Sequence, residues 1–510
     1  MSAAKILLDG NFLTFEQVYE VALRGEIVGI AGQAGERMSA SRAIVERLIA
    51  SDATAYGVNT GFGELAEVRI SREQIRQLQL NLVRSHACGV GAPLDEAETR
   101  AMMLLRANAL AKGYSGVRPV VVETLCAMLN SRVHPVIPCQ GSVGASGDLA
   151  PLAHLAHVAI GEGEAVYQGA RVSGAEAMKS AGIPPLELEA KEGLSLLNGT
   201  QGMLALLCLA LRDAQIAIDS ADVAATLSLD ALRGSPAAFD ARIVQARPHA
   251  GAIATATNLE RLNNGSEIRE SHRAAENDPR VQDAYSLRCT PQVHGAVRDA
   301  LAQIREVLAI ELNSATDNPL VFGDSGAGEI LSGGNFHGQP LAMAADQMAV
   351  AFATLAGISE RRIAQMTNPQ TSLLPAFLTK QPGLNSGFMI LQVAAAGIAS
   401  ETKTQAAPHS IDSIPTSADQ EDYVSMGMAA ARRLKPMLEN LRRVLSIELL
   451  AAAQGIDLLA PLKTGREAQR AQALVRSVSP TVDQDRSLSA DIEKVAELIK
   501  HGEFSKLIGS

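Results

Sequence analysis

The chain has 510 residues, of which 47% are hydrophobic, 20% charged and 3% aromatic, with no Trp and a net charge of −10. Length alone suggests about three domains, and so apolar a chain buries a large core and is not disordered. A nucleic-acid partner is excluded from expectation, because binding phosphates takes clustered Lys and Arg and no basic block is present.

The N-terminus, MSAAKILLDGNF, carries a three-residue apolar run before Asp9, too short for a secretion signal. Ala and Leu dominate the rest of the chain and favour helix over sheet. The stretch Ala55 to Gly63, AYGVNTGFG, breaks the helical pattern. Ser71 with Gln74 predicts a capping-box helix start running to about Ala87. Asp95 with Glu98 predicts another, stopped by Gly113. Long helices are expected at about 200–217, 291–314, 340–366, 385–405 and 420–453. Such Ala-rich helices predict a bundle whose faces are shared between neighbours or subunits. The apolar segment Gly202 to Leu211 is too short to cross a bilayer and reads as a core helix. From about Asn263 to Asp283 the chain is polar and without evident structure, as a functional loop would be. Two domains are expected, 1–220 and 221–510.

The cysteines, Cys88, Cys126, Cys139, Cys208 and Cys289, are odd in number and widely spaced. That argues against a disulfide framework or a cysteine zinc site and for a reduced, cytoplasmic setting. His154 and His157 share a helix face but lack a third ligand, so no metal is expected.

The stretch Gly141 to Ala156, GSVGASGDLAPLAHLA, breaks the helical pattern again. It lacks the Lys-Ser of a phosphate loop, the spacing of a dinucleotide fingerprint and the second glycine of a nucleophile elbow. On its own it reads first as a helix start, with Asp148 at the N-cap and Pro151 in the first turn. A second reading concerns Ala145-Ser146-Gly147. The Gly147 amide has no side chain to obstruct attack on the Ala145 carbonyl, and Ser146 has a hydroxyl to lose. Cyclisation with two dehydrations would give an electrophilic ring built from the chain itself.

This stretch resembles the signature of the histidine, phenylalanine and tyrosine ammonia-lyases. In that family Ala-Ser-Gly becomes 4-methylideneimidazol-5-one (MIO), formed autocatalytically. The similarity extends to Tyr56-Gly57-Val58-Asn59-Thr60-Gly61-Phe62-Gly63, to Leu197-Asn198-Gly199-Thr200-Gln201 and to Gln282-Asp283-Ala284-Tyr285-Ser286-Leu287-Arg288-Cys289. Gly333-Gly334-Asn335-Phe336-His337-Gly338 and Gln420-Glu421-Asp422 match as well.

The resemblance implies a mainly α fold, with an MIO-bearing N-terminal domain, a long central helical bundle and a homotetrameric assembly. It implies MIO from Ala145, Ser146 and Gly147 as the only cofactor, without metal. Tyr56 is implied as base for the substrate β-hydrogen, Asn198 and Tyr285 as orienting groups at the MIO, and Gln282 as a polar neighbour. Arg288 is implied at the substrate carboxylate, which its planar fork suits, and Phe336 in the pocket wall. Nucleic acid and membrane are not expected partners.

His86, after Ser85, resembles the histidine-specific members, since an imidazole can share a hydrogen bond that an apolar wall cannot offer. Glu421 stands where phenylalanine lyases carry an amide, and could accept the imidazole N–H or move a proton. Asp419 and Tyr423 depart from the usual Asn and His. The expected reaction is deamination of L-histidine to trans-urocanate and ammonia, the first step of histidine degradation. The alternative is a tyrosine or phenylalanine lyase or an aminomutase on the same scaffold.

Overall fold

The computed structural model describes residues 5–51, 70–274, 278, 280–323 and 328–509. The chain is mainly α-helical, and among the described residues strands of two to four residues gather in four small sheets. It divides into two compact units. The first comprises residues 1–209, 305–346 and 408–432; the second comprises 210–304, 347–407 and 433–510. The boundary expected at 220–221 falls inside the helix Gln201–Ala231, whose residues through Leu209 belong to the first unit.

In the first unit the helix Glu96–Ala111 is buried on nearly every side. It packs against the helices Phe15–Arg24 and Pro119–Asn130. Asp95 and Glu98 form the expected capping box, which satisfies amide donors left open by the first turn. Gly113, at φ +92°, follows its end. Such burial suits an apolar helix, yet Arg100, Arg106 and Asn108 lie within it, so each must be hydrogen-bonded. The short helices Leu149–Ala159 and Glu192–Leu197 pack together and against Ile75–His86. These three carry, or directly adjoin, the loops of the candidate site.

In the second unit the helix Leu434–Leu458 packs against Met389–Gln405 and Ser489–Lys500. A buried polar network ties this unit together. Glu448 is paired with Arg362 and accepts from Ser228 Oγ at 2.7 Å and Ser359 Oγ at 2.6 Å. His294 Nδ1 lies 2.7 Å from an Asp222 oxygen, and Arg298 reaches the same carboxylate at 2.6 Å.

Several expectations are corrected. Residues 420–426 are not helical: Thr416 and Glu421 pair as a β-bridge, and Ser417, Ala418, Asp419 and Met426 have positive φ. Helix resumes as Gly427–Arg432 and Leu434–Leu458. Ser71 and Gln74 bond side chain to side chain at 3.3 Å, and a 3₁₀ turn, Arg72–Gln74, precedes the helix Ile75–His86. The stretch after Asn263 contains a helix, Glu267–Ser271, whose N-cap Ser266 also holds the buried Asp230 carboxylate. The helix containing Gly202 to Leu211 runs 31 residues and, with Gln339–Thr367, is long and apolar enough to cross a membrane by composition. Both are mostly buried within the fold, as core helices are. All five cysteines are free.

Candidate active site

Ala145, Ser146 and Gly147 lie in a loop held at both ends. Gly147 has φ +70°, a region that glycine occupies without strain. The Asp148 amide donates to the Gly199 carbonyl at 2.7 Å. A Cβ on Gly147 would stand 2.1 Å from that oxygen, so only glycine fits. On the other side the Met426 amide donates to the Val143 carbonyl at 2.8 Å.

Asp148 stands at the N-cap of Leu149–Ala159, as the sequence suggests, but its side chain makes no cap hydrogen bond to that helix. Its carboxylate accepts from Ser142 Oγ at 2.9 Å and from the Met203 amide at 2.8 Å, so it caps the first turn of Gln201–Ala231 instead. Burial pushes its pKa up to about 6, against the pull of the hydrogen bonds it accepts. The carboxylate thus staples the Ser142–Gly147 loop to a long helix.

Ser146 Oγ donates to Glu421 at 2.9 Å, and Thr416 Oγ1 donates to the other Glu421 oxygen at 2.8 Å. His86 Nδ1 lies 3.0 Å from Ser85 Oγ. Burial lowers the His86 pKa, while a Leu82 backbone hydrogen bond and the Glu421 charge act in the opposite direction. The first unit therefore gathers Ser146, Glu421 and His86.

Asn198 is buried one residue before Gly199. Its Nδ2 donates to the Asn318 carbonyl at 3.3 Å, and its Oδ1 is buried without a hydrogen-bond partner. An unsatisfied buried acceptor is costly and marks a place where a donor fits. Phe336 is half-buried in a turn closed by the His337 amide on the Gly334 carbonyl at 3.0 Å. Tyr423 is exposed and stacks on His337, with ring centroids 6.2 Å apart. His154 accepts from the Gly89 amide at 3.1 Å and His157 pairs with Glu162 at 3.1 Å. Among the described residues no group of three His, Cys, Asp or Glu could hold a metal.

In the second unit Tyr285 and Arg288 occupy one helical turn, with the guanidinium 4.7 Å from the ring centroid. Gln282 is exposed just before them. Arg288 Nε is buried without a partner, and among the described residues Arg288 has no ion pair. Tyr56 lies outside the described residues.

Sequence reasoning missed the scaffold of the Asn198 turn. Arg106 is fully buried and donates to the carbonyls of Asn198 (2.8 Å) and Ser195 and to Gln201 Oε1 (2.7 Å). Burial lowers its pKa to about 10, only partly opposed by Asp317. Asp317 in turn binds Lys191 Nζ and Ser195 Oγ, each at 2.8 Å. The available signal was a lone cation inside the apolar run Met102-Met103-Leu104-Leu105-Arg106.

The family model described as aromatic amino acid lyase matches residues 13–477. A histidine ammonia-lyase of Koribacter versatilis is 55% identical over 509 residues, 98% of each chain. The crystal structure of histidine ammonia-lyase from Trypanosoma cruzi superposes with a TM-score of 0.91 at 42% identity, over 99% of this chain and 95% of that one. Tyrosine aminomutase from Streptomyces globisporus superposes with a TM-score of 0.92 at 40% identity, over 99% and 98%.

Proposed function

This chain belongs to the aromatic amino acid lyase family, and from that premise we propose that it removes ammonia from L-histidine to give trans-urocanate. The observation that carries the reading is the hydrogen bond from Ser146 to Glu421. It sets a carboxylate against the middle residue of the Ala-Ser-Gly triplet, with His86 close enough to feel its charge. The full-length likeness to histidine ammonia-lyases supports the same substrate.

The chemistry supplied by an MIO at Ala145, Ser146 and Gly147 is electrophilic capture of the substrate amine. The residues present fit such a group: Gly147 admits no Cβ, and the loop is pinned at the Gly199 carbonyl and the Met426 amide. Asn198 and Tyr285 orient the electrophile, with Gln282 a polar neighbour. Glu421 and His86 take the imidazole, one by accepting its N–H and the other by sharing a hydrogen bond. Arg288, whose guanidinium lacks a carboxylate among the described residues, binds the substrate carboxylate as a bidentate fork. Tyr56 accepts the β-proton, for which its phenol must be activated from an ordinary pKa near 10. Phe336 closes the wall of the pocket and excludes water.

No metal enters this reading. A cytoplasmic setting fits five free thiols. Self-association as a homotetramer fits the exposed apolar side chains Met389, Ile390 and Val393 along one helix. Purified protein incubated with L-histidine is expected to develop urocanate absorbance. Cinnamate from phenylalanine, coumarate from tyrosine or a β-amino acid, with no urocanate from histidine, overturns the assignment.

A further inference from the structure

The Ser146 loop is clamped by a residue that none of the matching motifs includes, Ser425. Ser425 is fully buried and donates its hydroxyl to the Gly144 carbonyl at 3.0 Å. The same carbonyl accepts from the Gly338 amide at 3.3 Å. Ser425 Oγ also accepts from the Gly427 amide at 3.2 Å. Three glycines crowd this junction. A Cβ on Gly144 would lie 2.2 Å from Ser425 Oγ, and one on Gly338 or Gly427 would lie 2.6 Å from the Met203 sulfur. Met203 is buried here, and its amide binds Asp148.

The Gly144 carbonyl belongs to the peptide plane that enters Ala145. The Asp148 amide, bound to the Gly199 carbonyl, belongs to the plane that leaves Gly147. Ser425 and Gly199 therefore fix the two peptide planes that bracket Ala145-Ser146-Gly147.

We infer that Ser425 is a positioning residue for the cyclisation of Ala145-Ser146-Gly147. The inference rests on the reading of that triplet as a cofactor precursor. Ring closure forms a bond between the Gly147 nitrogen and the Ala145 carbonyl carbon. The Ala145 oxygen leaves as water with the protons of the Gly147 and Ser146 amides. Ser146 then loses its hydroxyl with its α-hydrogen as a second water. The balance requires no oxidant and no co-reactant. What it requires is a nitrogen held against a carbon one residue away from its immediate neighbour, an arrangement an untethered loop rarely visits. Fixing both flanking planes supplies that geometry in advance, and pre-orientation of this kind is a large part of any intramolecular rate. Ser425 does this through one donated hydrogen bond from a segment that also carries Glu421, the partner of the departing Ser146 hydroxyl.

The test tracks intact mass over time in full-length chain made by cell-free synthesis. The parent chain becomes two waters lighter. Ser425→Ala is expected to do so at least about tenfold more slowly, equivalent to about 1.4 kcal/mol of barrier. Ser425→Cys, slightly larger but still a weak donor, recovers part of the rate. Ser425→Ala maturing at the parent rate overturns the inference, even if its melting temperature falls, since that is what a purely structural serine does. If Ser425→Ala does not fold, Ser425→Cys maturing at the parent rate overturns it and slower maturation supports it. A parent chain that never loses two waters overturns the cofactor reading, and this inference with it.

Discussion

Replacing Arg106 with Met isolates what holds the Asn198 turn. The guanidinium gives three hydrogen bonds, to the carbonyls of Asn198 and Ser195 and to the Gln201 side chain. All three acceptors are buried, and none gains water when the donor is removed. Each hydrogen bond from a charged donor contributes about 1.5–3 kcal/mol. Against this stands the cost of burying the cation, visible in a pKa lowered to about 10. Lys191 still faces Asp317 in the variant, so the carboxylate is not stranded. The balance is a local loss of about 3–5 kcal/mol, the usual cost of breaking a buried charged network. Hydrogen–deuterium exchange of peptides spanning 195–203 reads this loss directly, because local opening need not involve the whole chain. At about 1.4 kcal/mol per tenfold, exchange there accelerates by roughly two to three and a half orders of magnitude. Arg106→Lys keeps the charge but not the fork, and falls between. Exchange within about threefold of the parent in Arg106→Met refutes the reasoning.

Ser146→Ala is expected to leave the chain at its full translated mass and to abolish nearly all urocanate formation; a variant that stays active removes the backbone-derived electrophile from the proposal. His86→Leu is expected to lower kcat/KM for L-histidine by about tenfold to a hundredfold and to raise turnover of L-phenylalanine, because an apolar wall replaces a hydrogen-bonding one; an unchanged ratio of the two substrates refutes the role. His134 is held neutral by burial, helped by the nearby Arg100 and Arg132 charges and opposed by Glu96, with its pKa lowered to about 4. The unfolded chain therefore binds this proton first, and stability falls as pH drops from about 6.5 through about 4, by at most about 3 kcal/mol. Asp148, raised to about 6, acts in the opposite sense, its contribution being lost as pH rises from about 3.8 through about 6. Melting temperatures of the parent and His134→Gln compared across pH 4–7 cancel the Asp148 contribution. Parallel curves refute the His134 assignment.

The helices were legible wherever apolar periodicity and caps agreed. Asp95 with Glu98 began a helix, and Gly113 followed its end, because both signals act within one or two turns. Periodicity failed at 420–426, where the residues look helical but Met426 and the residues before Glu421 take positive φ to present that side chain to Ser146. Asp148 holds the N-cap position that the sequence suggests, but its side chain bonds elsewhere. A local cap competed with the Met203 amide, 55 positions away, and the distant donor won. The Ser146–Glu421 contact spans 275 positions and follows from no spacing rule; only the family resemblance placed the two together. Arg106 left a readable trace as a cation in an apolar helix. Ser425 left none, since a buried hydroxyl beside glycines looks like ordinary core until its acceptor is known.

The buried charges have a common logic. An ion pair taken out of water adds little net stability and often less than an apolar replacement. Their placement here follows geometry instead. In the second unit the long helices are rich in Ala, whose shallow ridges define packing register weakly. Glu448, on one of them, binds Arg362 and Ser359 on a second and Ser228 on a third. Sliding any of these helices by one turn would strand a charge in the core, at a cost far above that of shifting one Ala past another. In the first unit Arg106, Lys191 and Asp317 do the same for loops, fixing the carbonyls around Asn198 and the approach to Asn318. Both networks impose a single arrangement on parts of the chain whose side chains are too small to impose one themselves. In the first unit, that arrangement is what sets the Gly199 carbonyl against the loop of Ser146.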